Sequence, residues 1–132
     1  IVVHEAIHAS PTIIRPAPPF GFSFIAYDAN FEVFKQNLEI EKARIFNSDE
    51  LSPPKNTEDC VFCSALPWVN FTGHKEPFHG KKESVPRIAF SKMKVENNKK
   101  IITVSVSVNH ALMDGYHVSQ FTEKFQEYLL KH

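Results

Sequence analysis

The sequence has few of the residue types that mark specialised classes of protein. Of its 132 residues only two are cysteine, four are glycine and one is tryptophan. Basic and acidic residues number fifteen each, so the formal net charge is zero. Two cysteines are too few for a disulfide framework. The balanced charge gives no electrostatic attraction to nucleic acid or to an anionic membrane surface, so neither is an expected partner.

Long hydrophobic runs are also missing. No apolar run approaches the length of a membrane span, and the first residues lack the basic region and long apolar core of a signal peptide. We therefore expect a cytoplasmic location.

Apolar residues for a core are plentiful. Hydrophobic residues make up 42% of the sequence, and twelve of them are phenylalanine, which is enough for one domain over residues 1–132. The chain begins without methionine, on an apolar run typical of a strand. We therefore expect a partial domain whose N-terminal part is missing.

Hydrophobic periodicity predicts many strands and two helices. Apolar residues at three- and four-residue steps indicate amphipathic helices over residues 31–46, capped by Asp28 or Asn30, and over residues 118–129. Strand patterns cover residues 1–8, 12–15, 20–27 and 60–71, and a hairpin joins residues 85–95 to 100–108. Residues 47–59 and 72–82 read as loops. The order predicts an α/β fold, a two-layer sandwich with helices on one side of a mixed or antiparallel sheet.

Two short motifs are typical of metal sites, but their contexts argue against a metal. His4, Glu5 and His8 spell HExxH. In the expected strand the two histidines would lie about 13 Å apart, too far to share an ion. Cys60 and Cys63 have zinc or redox spacing, but no second pair accompanies them and a strand points them to opposite faces. We expect buried, unreactive cysteines and no metal.

Two other groups have both a functional and an ordinary interpretation. Phe20, Phe22 and Phe24 could line a substrate pocket, although aromatic residues at period two are more often simple core. Four lysines could meet phosphates, although the solvated tip of a hairpin explains them almost as well; they are Lys92, Lys94, Lys99 and Lys100.

The strongest sign of chemistry is an HxxxDG motif that follows the last expected strand. It comprises His110, Asp114 and Gly115. A histidine at the end of a rigid strand can be held in one rotamer, as general-base catalysis requires. The motif alone leaves another interpretation open, in which His110 is a core histidine and Asp114 with Gly115 simply makes a turn.

A second segment decides between these interpretations. Residues 64–71, Ser-Ala-Leu-Pro-Trp-Val-Asn-Phe, and residues 110–117, His-Ala-Leu-Met-Asp-Gly-Tyr-His, resemble the two signature stretches of chloramphenicol acetyltransferase. The resemblance extends over this whole chain but over only the C-terminal three-fifths of a family member. HxxxDG also occurs in dihydrolipoamide acyltransferases and plant acyltransferases, whereas the Ser-Ala-Leu-Pro-Trp segment favours the antibiotic-acetylating branch.

The resemblance implies a direct acetyl transfer from acetyl-CoA to a hydroxyl group. It implies that His110 is the general base, using Nε2 while a backbone carbonyl holds the proton on Nδ1. It also implies that Ser64 donates a hydrogen bond to the oxyanion and is not a nucleophile. Such a base works near neutral pH because the ordinary imidazole pKa is close to it.

The same resemblance implies roles for residues around these two. Asp114 has a structural role, and its family partner is an arginine from the missing N-terminal part, which Arg15, Arg44 and Arg87 should not be assumed to replace. Lys92 is implied near the phosphates of the coenzyme, with Lys94 as a competitor. Phe22 and Phe24 are plausible walls of the acceptor pocket. Three positions differ from well-known members, which have a second histidine, a threonine and an aromatic residue there; they are Asn109, Ala89 and Met93.

The leading hypothesis is therefore an acetyl-CoA-dependent O-acetyltransferase that acts on chloramphenicol or a similar hydroxyl acceptor. The resemblance also implies a homotrimer with active sites between subunits. Two alternatives remain open: a related CoA acyltransferase with another acceptor, such as a lipoyl thiol, and an inert binding module of the same fold.

Overall fold

The computed structural model describes residues 1–17, 19–75 and 83–131, and within them one five-stranded sheet dominates. Its strands are β1 (His8–Ile13), β2 (Gly21–Phe22), β3 (Cys60–Ala65), β4 (Arg87–Phe90) and β7 (Val104–Ser107); a small hairpin consists of β5 (Lys94–Glu96) and β6 (Lys99–Ile101). The order across the sheet is β2-β1-β3-β4-β7. The pairs β1–β3 and β3–β4 are parallel and the outer pairs antiparallel, so the expected mixed sheet is confirmed.

Two helices accompany the sheet, α1 (Phe31–Phe46) and α2 (Gly115–Lys131). The sequence predicted both ends of α1 correctly. At its start Asn30 accepts a hydrogen bond from the Glu32 N–H (3.0 Å) and caps the helix. The second helix extends beyond the expected 118–129, to the glycine of the HxxxDG motif. Among the described residues, neither helix is long and apolar enough to cross a membrane.

Both helices pack on the same face of the sheet. Side chains alternate between the faces along each strand, and paired residues share a face, so Gly21 and Phe90 belong to one face. A Cβ atom on Gly21 would lie 2.9 Å from the Ile45 side chain, which places α1 on this face. The Phe125 ring lies 6.1 Å from that of Phe90, which places α2 there too. The predicted two-layer sandwich is confirmed.

The first strand runs through Ser10 and Pro11, although the sequence predicted a break there. The carbonyl of Pro11 points away from β3 and accepts a hydrogen bond from the Ser23 hydroxyl (2.6 Å). The proline therefore removes no hydrogen bond from the β1–β3 pair. On the side that faces Ser23, however, the proline has no N–H to donate. The expected strand over residues 20–27 is reduced to β2 and a single bridge between Ala9 and Ile25.

The expected hairpin exists in two parts. Strands β4 and β7 pair antiparallel, and β5 and β6 form its tip around Asn97 and Asn98, whose φ angles are 49° and 60°. Asparagine tolerates this left-handed backbone better than most residues. The predicted strand over residues 60–71 ends at Ala65, before Pro67, and lies inside the sheet between β1 and β4. Of the expected loop over residues 72–82, residues 76–82 lie outside the described part.

A buried arginine connects the segment after β1 to the end of α1. Arg15 is only 8% exposed, and its guanidinium donates to the carbonyls of Ile45 (2.9 Å), Phe20 (3.1 Å) and Glu50. The Ile45 and Glu50 carbonyls are 30 and 35 residues away from Arg15, so one side chain joins two parts of the backbone that are distant in sequence. The arrangement satisfies polar groups that would otherwise be buried without partners.

We expect Arg15→Met to lower the free energy of unfolding by about 3 kcal/mol, because buried carbonyls lose charged donors. Urea denaturation measures the change. Lys35→Met is the matched control, since its ion pair with Glu32 is exposed and should contribute about 0.5 kcal/mol or less. Equal effects of the two substitutions would contradict the role given to Arg15.

Candidate functional site

A large cavity lies on the face of the sheet opposite α1 and α2. Its volume is about 1040 Å³. Six of the sheet residues that line it point to this face, namely Ser10, Thr12, Phe22, Phe62, Ser64 and Arg87, and Ala65 at the end of β3 lines it too. The register explains why these six share a face. Each of them either pairs with another of the six on a neighbouring strand or lies two residues from one on its own strand.

Ser64 stands near the carboxyl end of β3, with its side chain half-buried at the cavity wall. Its ladder neighbour Ala89 is 1% exposed and presents only a methyl group. Beyond the strand, the motif residues Leu66, Pro67 and Trp68 continue the wall. The motif therefore supplies both a hydroxyl donor and an apolar surface beside it.

Another hydroxyl in this wall has no partner among the described residues. Ser10 is 3% exposed, and its Oγ makes no hydrogen bond there. A buried polar group without a partner is costly, so such a group facing a cavity is available to a ligand.

The two phenylalanines predicted as pocket walls have different surroundings. Phe22 lines the cavity, and its ring lies 5.4 Å from that of Phe20, which lines it too. Phe24 packs instead against the His8 ring at 4.9 Å and beneath the Lys55 ammonium at 4.8 Å. Among the residues that the structure describes, the cavity wall thus includes Phe22 but not Phe24.

His110 occupies the turn between β7 and α2. Its Nδ1 lies 3.1 Å from the carbonyl oxygen of Met113. A carbonyl can only accept, so Nδ1 carries the proton and Nε2 of the neutral ring keeps a lone pair. A histidine held in this tautomer can remove a proton through Nε2.

Asn109 builds the same turn. Its side-chain oxygen accepts from the Ala111 N–H (2.9 Å), its carbonyl accepts from the Leu112 N–H (3.0 Å), and its amide donates to the Glu83 carbonyl (2.8 Å). Asn109, one of the three positions that differ from the family pattern, therefore organises the loop that holds His110.

Asp114 begins the second helix. Its carboxylate accepts from the N–H groups of Tyr116 (3.0 Å) and His117 (3.2 Å), as a helix cap does. The hydrogen bond from the His117 backbone, followed by that from its side chain, lowers the pKa of Asp114. In the described part of the chain its partners are these two residues. The three arginines of the chain bond to other groups than Asp114: Arg15 to carbonyls, Arg44 to Glu41 and Arg87 to Glu83.

Lys92 follows β4 and is exposed, and its N–H donates to the Val69 carbonyl (2.9 Å). It therefore lies at the same edge of the sheet as Ser64. Lys94 forms an ion pair with Glu96 (2.7 Å), whereas the Lys92 ammonium has no ion pair within the described ranges. Met93 between them is 52% exposed. Of the two lysines, Lys92 is the more available for an anionic ligand.

Ser64 and His110 do not meet within one chain. Ser64 is in register with Ala89 and, through it, with Ser105, about 10 Å away across two strand spacings. From Ser105 the chain runs toward the opposite edge of the sheet, where Asn109 bonds to Glu83 ahead of β4. His110 is also not part of the cavity wall as far as the structure describes it.

Neither the two cysteines nor the HExxH segment forms a metal or redox site among the described residues. Burial, followed by the neighbouring Asp59 charge, raises the pKa of Cys60 to about 12, so this thiol is not a nucleophile near neutral pH. Cys63 is half-buried, less than expected. His4 lies in irregular backbone ahead of β1, which starts only at His8. The described residues contain no cluster of metal ligands.

Four residues of the cavity wall were not predicted from the sequence: Ser10, Thr12, Phe62 and Arg87. Phe62 could have been found, since it lies two residues before Ser64 on the same strand. The others come from strands whose register with β3 no local pattern reveals.

Comparison with solved structures identifies the class of fold. A chloramphenicol acetyltransferase superposes over 96% of this chain and 63% of its own, with a TM-score of 0.77 and 20% identity. A dihydrolipoamide acetyltransferase from Azotobacter vinelandii superposes over 96% of this chain and 54% of its own, with a TM-score of 0.63 and 14% identity. The chain thus has the two-layer fold that these two proteins share.

Sequence comparison narrows the class to a family. The profile of the chloramphenicol acetyltransferase family matches residues 2–126, and the chain belongs to this family. A chloramphenicol acetyltransferase from Bacillus pumilus is 30% identical over 131 residues, which are 97% of this chain. The chain spans 59% of the length of that relative. The resemblance inferred from the two motifs is confirmed.

Proposed function

We propose that this chain is the part of an acetyl-CoA-dependent O-acetyltransferase that carries its general base and its oxyanion donor. The acceptor is chloramphenicol or a similar hydroxyl compound. The observation that carries this proposal is the His110 turn, in which the Met113 carbonyl holds the proton on Nδ1 and leaves Nε2 to act as a base. Family membership supports the same chemistry.

In this proposal His110 and Ser64 divide the work. Nε2 of His110 removes the proton of the acceptor hydroxyl as its oxygen bonds to the thioester carbonyl carbon. Ser64 donates its hydroxyl hydrogen to the resulting oxyanion. When the carbon–sulfur bond breaks, His110 returns the proton to the departing thiolate. No acyl group is attached to the protein, and Lys92 contacts the phosphates of the coenzyme.

The two residues act together across a contact between copies of the protein. Their separation within one chain supports this arrangement, because His110 and Ser64 of the same copy cannot both reach one thioester carbon. Exposed apolar groups in the cavity wall support it as well: Trp68 is 67% and Phe20 42% exposed. We propose a homotrimer in which His110 of one copy faces the cavity of the next. The low cysteine count fits a cytoplasmic location.

An acetylation assay on the full-length gene product, with chloramphenicol and release of the CoA thiol as the readout, tests the proposal. We expect Ser64→Ala to lower kcat by about 10²-fold, because the oxyanion loses one donor, with little change in KM. Ser119→Ala is the matched control, since this hydroxyl lies on the exposed surface of α2 and its one partner among the described residues is the Tyr116 carbonyl. Unchanged turnover in Ser64→Ala would remove the oxyanion role.

Two outcomes would point to other functions. Turnover with a lipoyl thiol and none with hydroxyl acceptors would favour the acyltransferase class of the second solved structure. Isothermal titration without any CoA binding would favour an inert module of the same fold.

A further inference from the structure

His117 lies in the first turn of α2, shortly after the loop that holds His110, and contacts residue 114 through its Nδ1 atom. Its Nδ1 lies 2.7 Å from the Asp114 carboxylate and 3.3 Å from the Asp114 backbone nitrogen. The Tyr116 ring lies 6.0 Å from the His117 ring. Within the described ranges, Asp114 and Tyr116 are the titratable groups that face it.

The Asp114 nitrogen belongs to the same peptide group as the Met113 carbonyl. The oxygen of that group accepts the His110 Nδ1 proton (3.1 Å). The other end of the group is the N–H that lies against His117. A planar peptide transmits any rotation at one end to the other, so a contact on the N–H constrains the direction of the carbonyl.

Both protonation states of Nδ1 anchor residue 114. With a lone pair, Nδ1 accepts from the Asp114 N–H. With a proton, Nδ1 donates to the Asp114 carboxylate, which also accepts from the backbone of Tyr116 and His117. In the first state His117 holds the N–H of the peptide group between residues 113 and 114 directly, and in the second it holds the side chain of residue 114.

We propose that His117 is a positioning residue, which fixes the peptide group between Met113 and Asp114 and thereby keeps His110 in the tautomer with a free Nε2. This inference rests on the proposed function for its catalytic consequence, but the structural coupling stands apart from turnover. His117 acts through residue 114 and contacts neither substrate.

Three substitutions of His117 separate positioning from bulk. Asn places a donor and an acceptor where Nδ1 lies, so His117→Asn should retain kcat within about threefold. Phe keeps the ring without its nitrogens, and Gln places its polar end too far out, so both should lower kcat about tenfold or more, with KM for acetyl-CoA unchanged. The His117 side chain is 56% exposed, so none of them opens a core. His4→Phe, at another exposed histidine, is the control.

Nitrogen-15 spectra of the His110 ring give a readout that does not depend on turnover. We expect one tautomer, protonated on Nδ1, in the unaltered protein and in His117→Asn, and a mixture of tautomers in His117→Phe and His117→Gln. An unchanged His110 spectrum in the Phe and Gln variants would overturn the inference, as would an Asn variant that behaves like them. If the spectra change as expected while no variant transfers acetyl groups, the proposed function fails and the positioning contact stands.

Discussion

Replacing His110 with alanine should lower kcat for acetyl transfer by about 10²- to 10⁴-fold, the range that a positioned general base contributes. The reason is structural as well as chemical. The Met113 carbonyl favours the tautomer with the proton on Nδ1, in which the neutral ring presents a lone pair on Nε2. Release of the CoA thiol measures the loss, and CoA binding by titration should be retained.

His4→Ala is the matched control for this substitution, because His4 is exposed and lies in irregular backbone ahead of β1. Equal turnover of His110→Ala and the unaltered protein would exclude His110 as the base. A loss of CoA binding together with turnover would show damage to the fold rather than removal of a base.

Mixed oligomers of His110→Ala and Ser64→Ala should be much more active than either variant alone. If each site takes its base from one copy and its hydroxyl from the neighbour, random mixing in equal amounts restores about one quarter of the sites in a closed ring. The separation of the two residues within one chain is the reason to expect this result. Copurification of two differently tagged variants, followed by the acetylation assay, measures it.

A mixture of His110→Ala with the double variant His110→Ala/Ser64→Ala provides the control, since it contains no intact base. Only residual activity in the first mixture, when mass spectrometry shows mixed oligomers, would contradict a site shared between copies. That result would mean that one subunit supplies both residues to a site, or that one of the two residues has no catalytic role.

The elements that follow local rules were predictable from the sequence. The first helix is set by the Asn30 cap and by periodicity, and both signals lie within the segment itself. The turn at Asn97 and Asn98 was equally local, because asparagine accepts positive φ. Pro11 misled the prediction because the effect of a proline depends on which neighbour its backbone faces, and that neighbour is chosen by the fold.

The candidate site divides in the same way. The two motifs pointed to Ser64 and His110, but their distance from each other depends on strand order and register, which no short pattern contains. Ser10 and Arg87 share the face of Ser64 only because β1 and β4 flank β3 in a particular register. The Met113 and His117 contacts depend on the path of one turn and became visible only with coordinates.

The placement of both helices on one face of the sheet has a consequence for how such a protein can change over time. The helices cover one face of the strands, and most of the strand residues that line the cavity point to the other. Substitutions beneath the helices and substitutions in the cavity wall therefore affect different sets of contacts, so their effects on the free energy of unfolding should be close to additive. Side chains of the cavity wall can change while the packing under the helices stays intact.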